Sequence, residues 1–160
     1  MSDISPDAAE DLSTSLLRSV RRIAQAIDVR SREIARLTGL TLPQLLVLQS
    51  IRAMGEVSTS AISRDVSMSA PTVVAVLDKL GAKGMVVRYR SSIDRRVVHA
   101  RLTEPGRQAL AASPGLLGQN FTTRFDGLSR MDRETMTAAA DRLATMMSVR
   151  SATPEDPSSS

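Results

Sequence analysis

The residues Asp94-Arg95-Arg96 close a short polar loop between two runs of strand-forming type, Tyr89-Arg90 before it and Val97-Val98 after it. A guanidinium at a hairpin tip is well suited to charge-assisted hydrogen bonds with anionic oxygen. A minor groove narrowed by A·T pairs has enhanced negative potential and accepts such a side chain. Arg95 is therefore the first candidate for a DNA contact. Asp94 adds nothing to phosphate affinity by its charge, so its expected role is to brace a wing arginine, Arg96, through a charge-assisted hydrogen bond. The alternative is a surface turn with an incidental ion pair worth about 0–1 kcal/mol.

Directly before this loop, Thr59 to Lys83 has the pattern of two short helices joined by a turn. A basic hairpin after such a pair is the geometry of a winged helix, in which a helix enters the major groove and the hairpin tip reaches the neighbouring minor groove. Arg64, Lys79, Arg88 and Arg90 are phosphate-contact candidates, and each is equally well a solvated side chain. Ser58 and Thr59 have hydroxyls able to donate to phosphate at a helix N-terminus. Helix capping explains their residue types as well.

Charge is distributed in the same sense. Residues 58–103 carry eight Lys and Arg against three Asp, a net of +5, while the remaining residues hold 13 basic and 14 acidic side chains. A phosphate-binding face requires such concentration. With one histidine, no cysteine and no glycine-rich phosphate loop, the chain lacks a nucleophile–base pair or a metal cluster, so neither enzymatic activity nor a cofactor is expected. The lack of cysteine also excludes a thiol-based redox switch. No run approaches the roughly 20 apolar residues needed to span a membrane, and the acidic, proline-containing start is unlike a signal peptide, so a cytoplasmic protein is expected.

The elements that position these residues are mostly helical. Phe121, Phe125 and Tyr89 are the only aromatic residues, and an aliphatic core suits packed helices better than a β-sandwich. Ser5-Pro6-Asp7 has the form of a helix start. From there Ala9, Leu12, Leu16, Val20, Ile23, Ile27, Ile34 and Leu37 recur at helical spacing, with one gap at Ser31, up to a stop at Gly39. Such a helix cannot bury its whole stripe against one small domain, so pairing with a second subunit is expected.

Thr41-Leu42-Pro43-Gln44 matches a capping box before a helix from Leu45 to Met54. Val57 forms a short strand, and Ser58 caps a helix from Thr59 to about Val66. Ser69 caps the next, with Pro71 in its first turn, and Gly81 and Gly84 supply its end near Ala82. Met85 to Arg90 and Val97 to Leu102 form the hairpin. Thr103 caps a helix to about Ala112. Ser113-Pro114-Gly115 breaks the pattern, with Ser113 able to cap a segment through Phe125. Ser129 and Asp132 start a last helix to about Val149, and Ser151 to Ser160 has a disordered composition.

In this order the chain resembles the MarR family of bacterial transcriptional regulators from about Leu37 to Leu110. The resemblance rests on Leu40-Thr41-Leu42-Pro43-Gln44, Leu77-Asp78-Lys79-Leu80, Gly84-Met85-Val86-Val87-Arg88, Asp94-Arg95-Arg96 and Leu102-Thr103-Glu104-Pro105-Gly106. It implies a mainly α fold with a β-hairpin wing in a single domain over residues 1–160. A winged helix-turn-helix lobe would occupy 40–103, dimerisation helices 6–38 and 104–150, and a tail 151–160. The implied function is that of a homodimeric repressor, released from a pseudo-palindromic double-stranded DNA operator by a small-molecule effector. A constitutive or architectural DNA-binding protein is the alternative.

Where the family often has Thr and Arg in mid-recognition helix, this chain has Val74 and Ala75. Ser69 and Thr72 are then the polar base readers, and Ala70, Pro71 and Val74 offer contacts to thymine methyls. More specificity should come from apolar contact and DNA shape. The resemblance places an effector cleft between the dimer helices and the lobe, where Arg22, Ser31 and Arg32 are candidates to anchor an anionic ligand. A salt bridge or polar seam within the dimer accounts for them too. Met131, Met136, Met146 and Met147 suit adaptable core or dimer packing. Arg21-Arg22-Ile23-Ala24-Gln25-Ala26-Ile27-Asp28 is loosely similar to the subgroup that regulates ectoine synthesis genes.

Overall fold

The computed structural model describes residues 6–148. The expected cap at Ser5, the helix end at Val149 and the tail from Ser151 lie outside the described residues. Along the chain run α1 (Pro6–Thr38), α2 (Leu42–Met54), β1 (Val57–Ser58), α3 (Thr59–Asp65), α4 (Ala70–Ala82), β2 (Val86–Arg90), β3 (Val98–Leu102), α5 (Glu104–Ala112), α6 (Gly118–Asp126) and α7 (Arg130–Met147). The mainly helical fold with a small hairpin is therefore as expected. Among the described residues no single helix is long and apolar enough to cross a membrane.

Local chemistry sets most of these boundaries. Ser58, Ser69, Thr103 and Ser129 each accept a hydrogen bond from the backbone N–H three residues on, at 3.1–3.3 Å. These bonds satisfy donors that a helix start otherwise leaves open. At α2 the Thr41 N–H donates to Gln44 Oε1 at 3.1 Å, the reciprocal bond of a capping box. That helix starts at Leu42, three residues before the expected Leu45. Pro43 falls in its first turn, where a missing N–H breaks no helical bond.

Two expectations fail. Gly81 lies within α4, and the stop is made by Gly84, at φ 69°, whose N–H reaches back to Gly81 O at 2.9 Å. A Cβ there would strain the left-handed backbone. Nor does Ser113 cap α6. Its N–H bonds back to Leu110 O at 3.2 Å to finish α5, its hydroxyl turns to Pro114 O at 3.3 Å, and α6 begins only at Gly118. Pro114-Gly115 supplies one donor fewer and a poor helix former at the point where a new helix would have to start.

The chain divides into a compact unit ending at Gly118 and a second from Gln119. The first contains a three-stranded antiparallel sheet in the order β1-β3-β2, with Val57 opposite Ala100 and Tyr89 opposite His99. Its core is Ile34 from α1, Leu40, Leu45, Leu48 and Ile51 around α2, Ile62, Val73, Leu77 and Leu80 from the helical pair, and Val86, Ala100 and Leu110. Each of the Val, Leu and Ile side chains contributes about 1.5–3 kcal/mol by leaving water. Gly106 closes the unit: a Cβ on it would stand 2.1 Å from Met85 O, so only glycine lets α5 approach the backbone just before β2 this closely. Of the α1 stripe, Ile34 is buried, whereas Leu12, Leu16, Ile23 and Leu37 are exposed.

In the second unit Phe121 stacks on Phe125, with ring centroids 5.5 Å apart. Helix α7 has no buried residue, and Met131, Met136, Met146 and Met147 are all exposed. The core role considered for these methionines is thereby excluded within the described chain.

Candidate nucleic-acid interface

The helical pair is held by its turn. Ser67 takes a positive φ of 53°, the Met68 N–H donates to Ser63 O at 3.2 Å, and Ser63 Oγ donates to Met68 O at 2.6 Å. Helix α4 turns Val73, Val76, Leu77 and Leu80 into the core. Its outer face is left with Ser69, Ala70, Pro71, Thr72, Val74, Ala75, Asp78 and Lys79. The Ser69 and Thr72 hydroxyls lie 2.7 Å apart, and Ser69 Oγ also accepts from the Thr72 N–H. Both are therefore engaged at the helix start, and the remaining exposed surface there is methyl and methylene.

The wing is tied to this helix. Arg88 on β2 pairs with Asp78 on α4, which gives this phosphate-contact candidate an intramolecular partner. Arg90 donates from Nη1 to Arg95 O at 3.1 Å and supports the tip from below. Asp94 departs from expectation: its Oδ1 accepts from the Arg96 backbone N–H at 3.0 Å, and no carboxylate pairs with the Arg96 guanidinium among the described residues. The donor two residues on is within reach of a short side chain at small entropic cost, unlike the tip of a long exposed one. Arg64, Lys79, Arg95 and Arg96 are exposed, and no carboxylate partner is formed by any of them among the described residues. Four cations are thus available on one lobe. Ser58 Oγ is engaged as a cap at 3.2 Å, and Thr59 Oγ1 faces Val98 O at 3.5 Å, so capping and sheet contacts account for both.

The residues offered for an anionic effector do not converge. Arg32 pairs with Asp28 at 2.5 Å, and Ser31 Oγ donates to Ile27 O at 2.7 Å within its own helix. Arg22 lines a shallow recess with Ser19, Ile23 and Ala26. Nine residues of helix set Arg22 about 180° from Ser31 around α1.

Two clusters were not anticipated from sequence. On the outer face of the hairpin Tyr89 packs edge-on against His99, ring centroids 5.6 Å apart, and its hydroxyl donates to Glu56. That hydrogen bond holds the phenol above the ordinary tyrosine range. Arg52, Arg101 and Arg107 line a cleft with Ile51 and Leu102. Strand register sets Tyr89 opposite His99, the packing of α2 and α5 on β3 gathers the arginines, and no local spacing announces either cluster. Among the described residues no three His, Cys, Asp or Glu side chains stand close enough to hold a metal ion.

A model of the MarR family matches residues 40–98, from two residues before α2 to the first residue of β3. The HTH-type transcriptional repressor MdtR of Bacillus subtilis is 28% identical over 99 residues, which make up 62% of this chain and 64% of that protein, under two thirds of its length. A Thauera aromatica protein named for regulation of the hcr operon is 32% identical over 116 residues, 71% of this chain and 68% of its own. Among solved structures, the PcaV transcriptional regulator of Streptomyces coelicolor, in complex with its natural ligand, has a TM-score of 0.68 at 20% identity, covering 91% of this chain and 98% of that one. The MepR–DNA complex of S. aureus has a TM-score of 0.67 at 21% identity, covering 82% and 96%. These two share the fold. The named relatives are regulators of transcription, not enzymes. On the sequence match that spans most of both chains, with the family model centred on the winged lobe, this chain belongs to the MarR family.

Proposed function

We propose that the chain is a homodimeric transcriptional regulator that binds a pseudo-palindromic DNA operator and, as a repressor, is released from it by a small-molecule effector. The observation that carries the DNA reading is the division of labour among the basic residues. Arg88 and Arg90 are tied into the wing, while Arg64, Lys79, Arg95 and Arg96 stay exposed around α4 and the hairpin tip. Phosphates are the natural partners for these cations, with Arg95 in the minor groove. Ser69 and Thr72, with Ala70, Pro71 and Val74, face the major groove. Two such lobes bind half-sites about one helical turn, roughly 34 Å, apart.

The exposed apolar residues of α1 and α7 support the homodimer, because a second copy buries what one copy leaves in water. A small molecule that changes the spacing of the two recognition helices needs only about 1–3 kcal/mol of coupling to weaken binding roughly 5- to 150-fold. The ligand-bound state of PcaV makes this mode of control the first to test. The similarity of the α1 sequence to ectoine-gene regulators makes those genes a reasonable second place to seek an operator. A constitutive or architectural role is favoured by one observation: Arg32 and Ser31 are engaged within their own helix and form no ligand site with Arg22.

Fluorescence anisotropy on the duplex upstream of the protein's own gene, across a salt series, tests the reading. Wild type should bind far more tightly than to random DNA, and Arg95→Ala should lose about 1–3 kcal/mol mainly on that sequence. Equal binding by the two proteins, no tighter than to random duplex, would overturn it. Release of the probe by small molecules then separates the sensor from the constitutive form.

A further inference from the structure

Ile93 stands at the tip of the wing with 97% of its surface exposed, more than any other large apolar side chain among the described residues. The next most exposed, Met146 and Met131 at 80% and 75%, lie on α7, whose apolar residues recur along one helix. Ile93 has no such apolar neighbours. It packs on nothing, so it contributes nothing to the hairpin by burial.

The backbone beneath it is nevertheless firmly held. Ser91 Oγ accepts from the N–H groups of both Ile93 and Asp94, at 3.2 and 3.3 Å. The Ser91 N–H donates to Val97 O at 2.9 Å and the Val97 N–H to Asp94 O at 2.9 Å. Asp94 and Arg90 add their bonds to the Arg96 N–H and the Arg95 carbonyl. Six polar contacts thus fix the tip while a β-branched side chain projects from it, one residue away from Asp94 and two from Arg95. Holding a side chain in its binding conformation before contact removes part of the ordering cost of association. A stiff apolar projection flanked by guanidiniums suits a surface that is negative at its rim and hydrocarbon within. The minor groove has that character: phosphates border it, and deoxyribose C–H groups form its walls. Isoleucine is also among the side chains able to press between base steps and bend a duplex.

We propose that Ile93 is a second minor-groove reader, beside Arg95, which selects operators by the deformability of the base step beneath the wing. The inference rests on the DNA-binding reading above. Arginine reads the narrow, negative groove, whereas isoleucine favours a step that opens at low energy, such as TA or CA/TG. This assigns specificity to a position that offers no hydrogen bond, in a protein whose recognition helix is itself poor in donors.

The test uses the full-length protein and the upstream duplex, with anisotropy for affinity and end-to-end energy transfer for bending. Ile93→Ala should weaken operator binding about tenfold and straighten the duplex, with random-sequence binding unchanged, while Ile93→Leu stays within about threefold of wild type. Substituting the flexible step under the wing, located by hydroxyl-radical footprinting, should weaken wild type but not Ile93→Ala. Full exposure of Ile93 predicts unchanged melting for both variants. If Arg95→Ala loses affinity while Ile93→Ala binds and bends like wild type, the inference fails and the DNA reading stands. Equal loss on operator and random duplex also overturns it. A wild type that binds no duplex above background overturns both.

Discussion

The winged lobe and the last helix are built from similar aliphatic residues with opposite outcomes. From Leu40 to Leu110 the lobe buries Leu45, Leu48, Ile51, Ile62, Leu77 and Leu80 almost completely. Helix α7, with four exposed methionines and a leucine along its length, buries nothing. Helix α1 contains both regimes, since Ile34 is sealed in the core while Leu12, Leu16 and Ile23 remain in water. Helices do not hold themselves together by propensity alone; packing of an apolar face supplies most of their stability. The lobe therefore contains its own reason to fold, and the flanking helices keep in water the apolar residues that the proposed dimer would cover. The proposed dimer follows from this division, which gives direct ways to break it.

The largest effect belongs to the lobe. Leu77 is fully buried at the centre of the α4 face. Leu77→Ala should destabilise the protein by about 3 kcal/mol, through lost burial and the cavity left behind. The shift of the urea midpoint should be the same at low and high protein concentration. A midpoint change under a third of that size would mean that the lobe core is not self-contained.

A smaller effect of a different kind is expected from α1. Ile23 is 57% exposed in the single chain, and Ile23→Glu should weaken self-association by about 2 kcal/mol per protomer. Sedimentation should show monomer at concentrations where wild type is dimeric, and melting there should lose the concentration dependence that a dimer shows. If Ile23→Glu sediments like wild type, the exposed stripe is not an interface and the comparison collapses.

The same contrast explains what was legible from the sequence. Helix starts at Ser58, Ser69, Thr103 and Ser129 were readable because a cap and the N–H it satisfies lie three residues apart. The hairpin was readable because alternation and a polar tip are local patterns. Partner choice was harder. Asp94 was expected to meet the Arg96 guanidinium and meets its backbone N–H instead, a difference of geometry within three residues. Arg88 was expected to face phosphate and pairs with Asp78, which only the packing of β2 on α4 determines. The effector candidates on α1 could be named by type, but helical geometry sends Arg22 and Ser31 to opposite faces. Ser113 failed as a cap because the break after it is longer than proline alone requires. Residue type gives capacity, and the three-dimensional neighbour decides its use.

The smallest effect sharpens the boundary of the lobe. Tyr89 lies on the outer face of the hairpin, opposite His99 in register, and donates to Glu56 just before β1. Its hydrogen bond to Glu56 favours the neutral phenol, so the folded protein should hold the proton above the ordinary tyrosine value near 10. A raised pKa makes a stabilising contribution that is complete below the unfolded value and fades as pH rises through the folded one, on the alkaline side only. The chain has one tyrosine and no tryptophan, so the phenolate absorbance reports this residue without overlap. Wild type should titrate later than a free tyrosine. Glu56→Gln should return the midpoint toward the ordinary value, since the neutral amide removes the carboxylate that penalises phenolate. Stability near neutral pH should barely move, because the contact is at the surface and buries no core side chain. If wild type and Glu56→Gln titrate together, the tie between the residue before β1 and the wing does not persist in solution, and the hairpin's outer face belongs with the unpartnered surfaces instead of with the lobe.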